Sequence, residues 1–149
     1  FHARYDATER IYKYYLLPKV LSYPWTERYS LTVREQLDIN RLNELAAPLV
    51  GYHSFASFAS VMEDGYPMER TVKAAVFYQS RGYTVFKISA DGFLRRMVRS
   101  IVGTVLDLYE KGKDREVMKA IIEAEDRSAA GACAPAKGLF LDQVIYGKL

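Results

Sequence analysis

The sequence predicts an α+β fold in which helices pack on one face of a largely antiparallel sheet. Strand-like segments and helical segments follow one another in the order strand, helix, hairpin, two helices, strand. The chain has 149 residues, of which 50% are hydrophobic and 26% are charged, and this is enough to build one hydrophobic core. We therefore expect residues 1–149 to form a single domain.

The first half of the chain predicts one strand and one helix. Residues 10–17 are β-branched and aromatic and end at Pro18, which is typical of a strand. A loop is expected over 18–29. Asp38 is placed as the N-cap of a helix, and Gly51 follows the end of that helix. The apolar residues on one face of this helix are Ile39, Leu42, Leu45, Ala46 and Leu49.

The second half predicts a hairpin, two helices and a closing strand. The hairpin turn falls at Ser80, Arg81 and Gly82, between two segments of alternating polarity. Asp114 is expected to begin the second helix. The predicted elements are the strands 70–79 and 83–90, the helices 93–110 and 114–125, and the strand 138–146.

Composition excludes several classes of protein. No apolar run approaches the roughly 18 residues that a membrane helix needs. The single cysteine, Cys133, has no partner for an internal disulfide and is a poor start for a four-ligand zinc site. With no targeting signal, these features favour residence in the cytoplasm and no membrane association.

The net charge of +3 is unevenly distributed along the chain. Residues 70–113 carry nine Lys or Arg and three Asp or Glu, which is +6 within 44 residues. This stretch is either an anion-binding face or a solvated basic surface, and charge alone does not separate the two.

Three arginines lie on the predicted helix 93–110. Arg95 and Arg99 are four residues apart and should project from one side of the helix. Arg96 follows Arg95 directly and should lie next to that side, further around the helix. An arginine that reaches the edge of the core needs a carboxylate or phosphate partner, because its guanidinium does not deprotonate. The alternatives are three solvated arginines or a regulatory site for a small anion.

Aromatic residues on the first strand offer a second possibility. Arg10, Tyr12 and Tyr14 alternate and should share one face of the sheet. Tyrosines beside basic residues can stack on nucleic-acid bases, or they can pack beneath a helix.

Other chemistry has little support. Only two histidines, His2 and His53, are present, and no glycine-rich phosphate-binding loop occurs. The spacing of the residues alone therefore assigns no reaction.

Four groups of segments, in this order along the chain, resemble the tRNA pseudouridine synthase A family. They extend over nearly the whole chain, and the arginine-rich segment and the Gly-Leu-Phe-Leu segment are together highly specific. The segments are FHARYDA at 1–7 with RIYKY at 10–14, GYHSF at 51–55, GFLRRMVRSIVGT at 92–104 and APAKGLFL at 134–141.

The resemblance implies isomerisation of uridine to pseudouridine in the anticodon stem-loop of tRNA, without a cofactor or a metal. In the family, the aspartate of an Arg-Thr-Asp-Ala-Gly motif attacks the flipped uridine. The glycosidic bond breaks, and the base rotates and rejoins through carbon. The resemblance also implies a homodimer of the full-length protein.

Roles for individual residues also follow from the resemblance. Tyr12 would stack on the target base and help to remove its C5 proton. Arg99 would pair with the aspartate, and Leu139 would pack in the uracil pocket. Arg4 would belong to the surroundings of the site. Arg95 and Arg96 would bind the substrate as part of the basic stretch, whose phosphate contacts should weaken as salt rises.

One part of the family pattern is absent. No Arg-Thr-Asp-Ala-Gly segment occurs in the 149 residues, and the family places it before the segment at 1–7. Asp6 belongs to a different family motif and is not expected to be the nucleophile. We therefore expect the chain, which starts with Phe1, to be the C-terminal part of a longer enzyme and to be inactive alone. The alternative is a non-catalytic RNA-binding or dimerisation module.

Overall fold

The computed structural model describes residues 5–60 and 63–148. Its six-stranded sheet and three α-helices confirm the predicted α+β class. Short 3₁₀ turns connect several of the elements. In chain order the elements are β1 (Tyr5–Pro18), β2 (Leu31–Val33), α1 (Ile39–Ala46), β3 (Gly51–Ser54), β4 (Glu69–Ser80), β5 (Tyr83–Ala90), α2 (Met97–Glu110), α3 (Arg115–Ala124) and β6 (Leu139–Lys148).

The long strand β1 organises the sheet. One edge of β1 pairs with β5, and the sheet continues through β4 to β3, with all of these pairs antiparallel. The opposite edge pairs antiparallel with β6 over most of its length, and parallel with β2 at its end. This pairing explains why β1 begins at Tyr5, five residues earlier than the sequence predicted.

The core lies on one face of the sheet, as predicted. Alternate residues of β1 and β5, among them Tyr14 and Phe86, are fully buried beneath the helices. The helix α2 contributes Met97 and Ile101 to the same cluster. The other face of the sheet, called the outer face below, carries the intervening residues of these strands.

Local signals placed most of the elements. The Asp38 carboxylate accepts a hydrogen bond from Asn40 N at 3.0 Å, which confirms it as the N-cap of α1. Asp114 caps α3 in the same way through Glu116 N at 3.0 Å. Arg81 and Gly82 both have positive φ, 52° and 88°, as a two-residue hairpin turn requires.

The prediction for the longest helix was wrong at its start. The helix α2 begins at Met97 rather than at residue 93, because Arg96 is in the left-handed region with φ 63°. Met97 N donates to Leu94 O at 3.1 Å and closes a turn there instead. The short strands β2 and β3 were not predicted, since three or four residues carry little periodic signal.

The described ranges contain neither a membrane-spanning helix nor a cluster of metal-binding side chains. Among residues 5–60 and 63–148, no helix is long and apolar enough to cross a membrane. Within those same ranges, no three His, Cys, Asp or Glu side chains are grouped so that they could hold a metal ion.

Candidate active site

Tyr12 and Leu139 lie on the helix-covered face, at the border of the core. Tyr12 is half-buried, and its ring meets Phe93 edge to face with the ring centres 5.0 Å apart. Leu139 is the register partner of Tyr14, two residues along β1 from Tyr12. Both side chains pack against the core cluster while keeping part of their surface exposed. They therefore form an apolar and aromatic wall at the end of the core.

Arg99 reaches the same region from the first turn of α2. Its Nε donates to Ala134 O at 2.8 Å, and Ala134 N donates to Arg99 O at 2.9 Å. Ala134 belongs to the segment 131–138 that leads into β6. Arg99 is half-buried and forms no ion pair with any carboxylate of the described residues. Its fixed positive charge is thus oriented by a neutral carbonyl.

The buried Tyr14 contacts the same segment as Arg99. Its hydroxyl donates to Pro135 O at 2.6 Å. Burial raises the pKa of Tyr14 to about 12, although the nearby Arg99 opposes this increase. The phenol therefore remains a hydrogen-bond donor at neutral pH. Of the two explanations for the tyrosines on β1, packing beneath a helix is correct for Tyr14.

Arg95 and Arg96 differ from the prediction. Both precede α2, so Arg95 and Arg99 are not on one side of a continuous helix. Their side chains are exposed and make no ion pair with the described residues. The Arg95 carbonyl accepts from Ser60 N at 3.1 Å, which fastens the turn to the loop at residue 60. Of the three arginines, only Arg99 lies within α2 beyond its cap and is half-buried.

The sequence also singles out Arg10 and Arg4. Arg10 lies on the same strand face as Tyr12 and is half-buried, as the alternation predicted. Arg4 lies outside the described residues. Sequence reasoning missed Phe93, which contacts Tyr12, because the predicted helix was assumed to include it. No local signal would have shown that this ring turns toward β1.

The basic stretch 70–113 is not a single face. Lys73 and Lys87 lie on the outer face of the sheet, and Lys73 pairs with Glu9 at 3.2 Å. Lys111 and Lys113 follow the far end of α2, and Lys111 pairs with Asp107 at 3.2 Å. An anion that contacts Arg95, Arg96 and Arg99 would therefore meet only part of the +6 charge.

Together these observations define an α+β fold in which Tyr12 and Leu139 border the core and Arg99 is held by the segment that leads into β6. The model of a family described as tRNA pseudouridine synthase matches residues 45–147. Because this match covers more than half of the chain, the chain belongs to that family.

Relatives named tRNA pseudouridine synthase A match nearly the whole chain. The protein of Borrelia duttonii (strain Ly) is 38% identical over 146 residues, which is 98% of this chain and 60% of the relative. That of Borreliella burgdorferi (strain ATCC 35210 / DSM 4680 / CIP 102532 / B31) is 35% identical over 146 residues, 98% of this chain and 59% of the relative. The chain thus spans about 60% of the length of the curated relatives that it matches.

Proposed function

We propose that the full-length protein converts uridine to pseudouridine in the anticodon stem-loop of tRNA, in the cytoplasm. Here "full-length" means residues 1–149 joined to an upstream segment with the family's aspartate. The observation that carries the proposal is Arg99, a half-buried cation near Tyr14 that is bonded to the segment leading into β6 and has no carboxylate partner among the described residues. Family membership supplies tRNA as the substrate class.

Arg99 is proposed to pair with the catalytic aspartate. A carboxylate in a pocket the size of a base would otherwise have its pKa raised by loss of solvent, and a nearby cation keeps it ionised. The bond from Nε to Ala134 O uses one edge of the guanidinium and leaves its terminal nitrogens able to bind a carboxylate. Arg99 therefore keeps the catalytic aspartate ionised while its own guanidinium remains charged.

Tyr12 and Leu139 are proposed to receive the flipped base. Removing a base from a helix costs a few kcal/mol, and stacking on an aromatic ring returns part of this. The edge-to-face contact with Phe93 fixes the orientation of the Tyr12 ring. Leu139, on β6 opposite Tyr14 of β1, would cover the uracil ring from the side.

The reaction is an isomerisation, so no atom is gained or lost overall. The bond from C1′ of the ribose to N1 of the base breaks, and a bond from C1′ to C5 forms. The C5 proton then leaves, and N1 takes up a proton. The Tyr12 hydroxyl is proposed to assist removal of the C5 proton.

The test is Arg99→Ala in the full-length protein, with a tRNA anticodon stem-loop as substrate. We expect turnover to fall by about 100-fold or more, the range seen when a charge-stabilising group is removed, while RNA binding is largely kept. Arg115→Ala, at the exposed start of α3, is the matched control and should retain full turnover. Unchanged turnover in Arg99→Ala would contradict the aspartate-pairing role.

The same assay tests residues 1–149 alone. We expect no conversion of uridine by this polypeptide, because it lacks the Arg-Thr-Asp-Ala-Gly segment. Conversion by residues 1–149 would show that the nucleophile lies within them.

Homodimer formation belongs to the same proposal, and a partly exposed aromatic cluster supports it. Tyr15 contacts Tyr83 and Phe140 on the outer face, with ring centres 5.6 Å apart in each pair, and of the three rings Phe140 is exposed. Aromatic side chains that reach the surface are enriched at subunit interfaces. Light scattering of the full-length protein should give twice the mass of one chain, and Phe140→Ser should lower that mass.

A further inference from the structure

We propose that Tyr14 is a positioning residue that sets the place of Arg99 and Leu139 through the segment 131–138. This inference rests on the proposed function, because it assigns Tyr14 to the same site. Tyr14 is on the same face of the sheet as Tyr12 and Leu139, but it is 0% exposed and so cannot contact a bound base. It acts on the reacting groups only through its neighbours.

The Tyr14 hydroxyl and the Arg99 guanidinium bind consecutive carbonyls of one segment. Tyr14 Oη donates to Pro135 O at 2.6 Å, and Arg99 Nε donates to Ala134 O at 2.8 Å. The two carbonyls are joined by a planar peptide unit and by the proline ring of Pro135, which fixes φ at −60°, so only ψ of Pro135 can change their relative orientation. Loss of the Tyr14 bond would therefore let the anchor of Arg99 move.

The Tyr14 ring supports the end of the same segment. A Cβ added to Gly138 would lie 2.8 Å from the Tyr14 ring, so the ring packs directly on the backbone at residue 138. Leu139 follows at once and is the register partner of Tyr14. One side chain thus contacts the segment at two points, next to Ala134 and next to Leu139.

The helix α2 closes the other side of the segment. A Cβ added to Gly103 would lie 1.7 Å from Ala132 O, so helix and segment touch backbone to backbone. Thr104 Oγ1 accepts from Gly131 N at 3.0 Å and fixes the start of the segment. The segment is therefore held by α2 at its start and by Tyr14 further along.

Holding the segment 131–138 between α2 and Tyr14 matters because catalysis depends on the positions of the reacting groups. A charge-pairing group must stay within about 0.5 Å of its productive position, and misplacement by about 1 Å can reduce a rate by 100-fold. Arg99 is a long side chain with several rotatable bonds, and its Nε bond to Ala134 O is the hydrogen bond that restrains it. Tyr14 restrains that acceptor.

The experiment is Tyr14→Phe in the full-length protein, assayed on an anticodon stem-loop under single-turnover conditions. The variant keeps the ring and removes only the donor. We expect the rate constant to fall by about 10-fold, while the concentration of RNA giving half the maximal rate changes less than twofold. Tyr52→Phe, an exposed tyrosine on β3, is the matched control and should keep the wild-type rate.

A double variant separates positioning from a general structural role. In an Arg99→Lys background the Nε bond to Ala134 is gone, so Tyr14→Phe should lower the rate less than twofold further. Equal tenfold losses in both backgrounds would overturn the inference. If Tyr14→Phe does not fold, Gly138→Ala tests the same restraint on the segment by pushing on the ring, and it should give the same split between rate and RNA binding.

The two proposals fail in different ways. If Arg99→Ala lowers turnover and neither Tyr14→Phe nor Gly138→Ala changes the rate, the positioning role is wrong and the proposed function stands. If Arg99→Ala has no effect, the proposed function itself is wrong.

Discussion

Glu9 is the acidic residue most tightly engaged on the outer face of the sheet. One carboxylate oxygen accepts from Lys73 Nζ at 3.2 Å, and the other accepts from the Ser89 hydroxyl. The hydrogen bond from Ser89, with that from Lys73, holds the pKa of Glu9 below the usual value for a glutamate. The carboxylate thus links β1 to β4 and β5.

This gives a prediction for the dependence of stability on pH. A depressed pKa in the folded state stabilises the protein above about pH 4.5, and that stabilisation is lost as the pH falls through the folded-state pKa. We expect Glu9→Gln to lose less stability between pH 7 and pH 3.5 than the wild type, measured by urea unfolding.

The control for Glu9 is Glu123→Gln, at an exposed position of α3 where the carboxylate makes no hydrogen bond or ion pair with the described residues. It should show the pH dependence of the wild type. An equal loss of stability on acidification in Glu9→Gln and wild type would show that Glu9 does not contribute.

At the scale of single residues, the sequence predicted which side chains share a face of the sheet but not which of them are fully buried. Alternation correctly placed Tyr12 and Tyr14 on one side of β1. Whether each ring is buried depends on what covers it, and α2 with the segment 131–138 covers only Tyr14 completely. A pattern of period two carries no information about that cover.

The contact between α2 and the segment before β6 is the closest approach of two elements near the site. Gly103 lies on α2 where Ala132 O would meet a Cβ at 1.7 Å. Any side chain at this position must push the segment away by more than an ångström, and the backbone cannot yield as a flexible side chain does. The packing of the two elements thus requires glycine here.

We expect Gly103→Ala to lower the free energy of unfolding by about 3 kcal/mol or more, measured by urea denaturation. Gly92→Ala is the control, because a Cβ there would lie 3.4 Å from Nε of the Arg70 side chain, which can move. This control should change stability by about 0.5 kcal/mol or less. A Gly103→Ala variant as stable as Gly92→Ala would mean that the segment relaxes freely.

For α2 as an element, periodicity predicted the apolar stripe and the C-terminal end but not the beginning. The stripe residues Met97, Val98 and Ile101 are buried as predicted. The start depends on Arg96, whose left-handed backbone has no signature in residue type. Because the predicted start was four residues too early, Arg95 was placed in the helix, whereas it lies in the turn before it.

The charge of the whole molecule is spread over separate regions. The helix α2 has 14 residues and is therefore about 21 Å long, which separates Arg95 and Arg96 at one end from Lys111 and Lys113 at the other. An RNA bound at the site would contact the first pair and not the second. Binding should therefore depend on salt mainly through the arginines.

We expect the double variant Arg95→Ala/Arg96→Ala to make the dependence of log Kobs on log salt less steep by about 1 to 2, because each lost phosphate contact removes about one released counterion. Lys111→Ala/Lys113→Ala is the control and should keep the wild-type slope. Filter binding of an anticodon stem-loop to the full-length protein at several salt concentrations measures both. Equal slopes in the two variants would place the phosphate contacts elsewhere.

The sequence by itself determined the α+β class, the hairpin, the N-caps of α1 and α3 and the family. These depend on local preferences, on periodicity and on motifs that are continuous along the chain. Only the tertiary structure decided that Arg99 alone of the three arginines is half-buried and held by Ala134, and that Tyr14, the register partner of Leu139, is fully covered. Those contacts join residues 35 or more positions apart, and their geometry arises from the packing of α2, β1 and β6 rather than from any one segment.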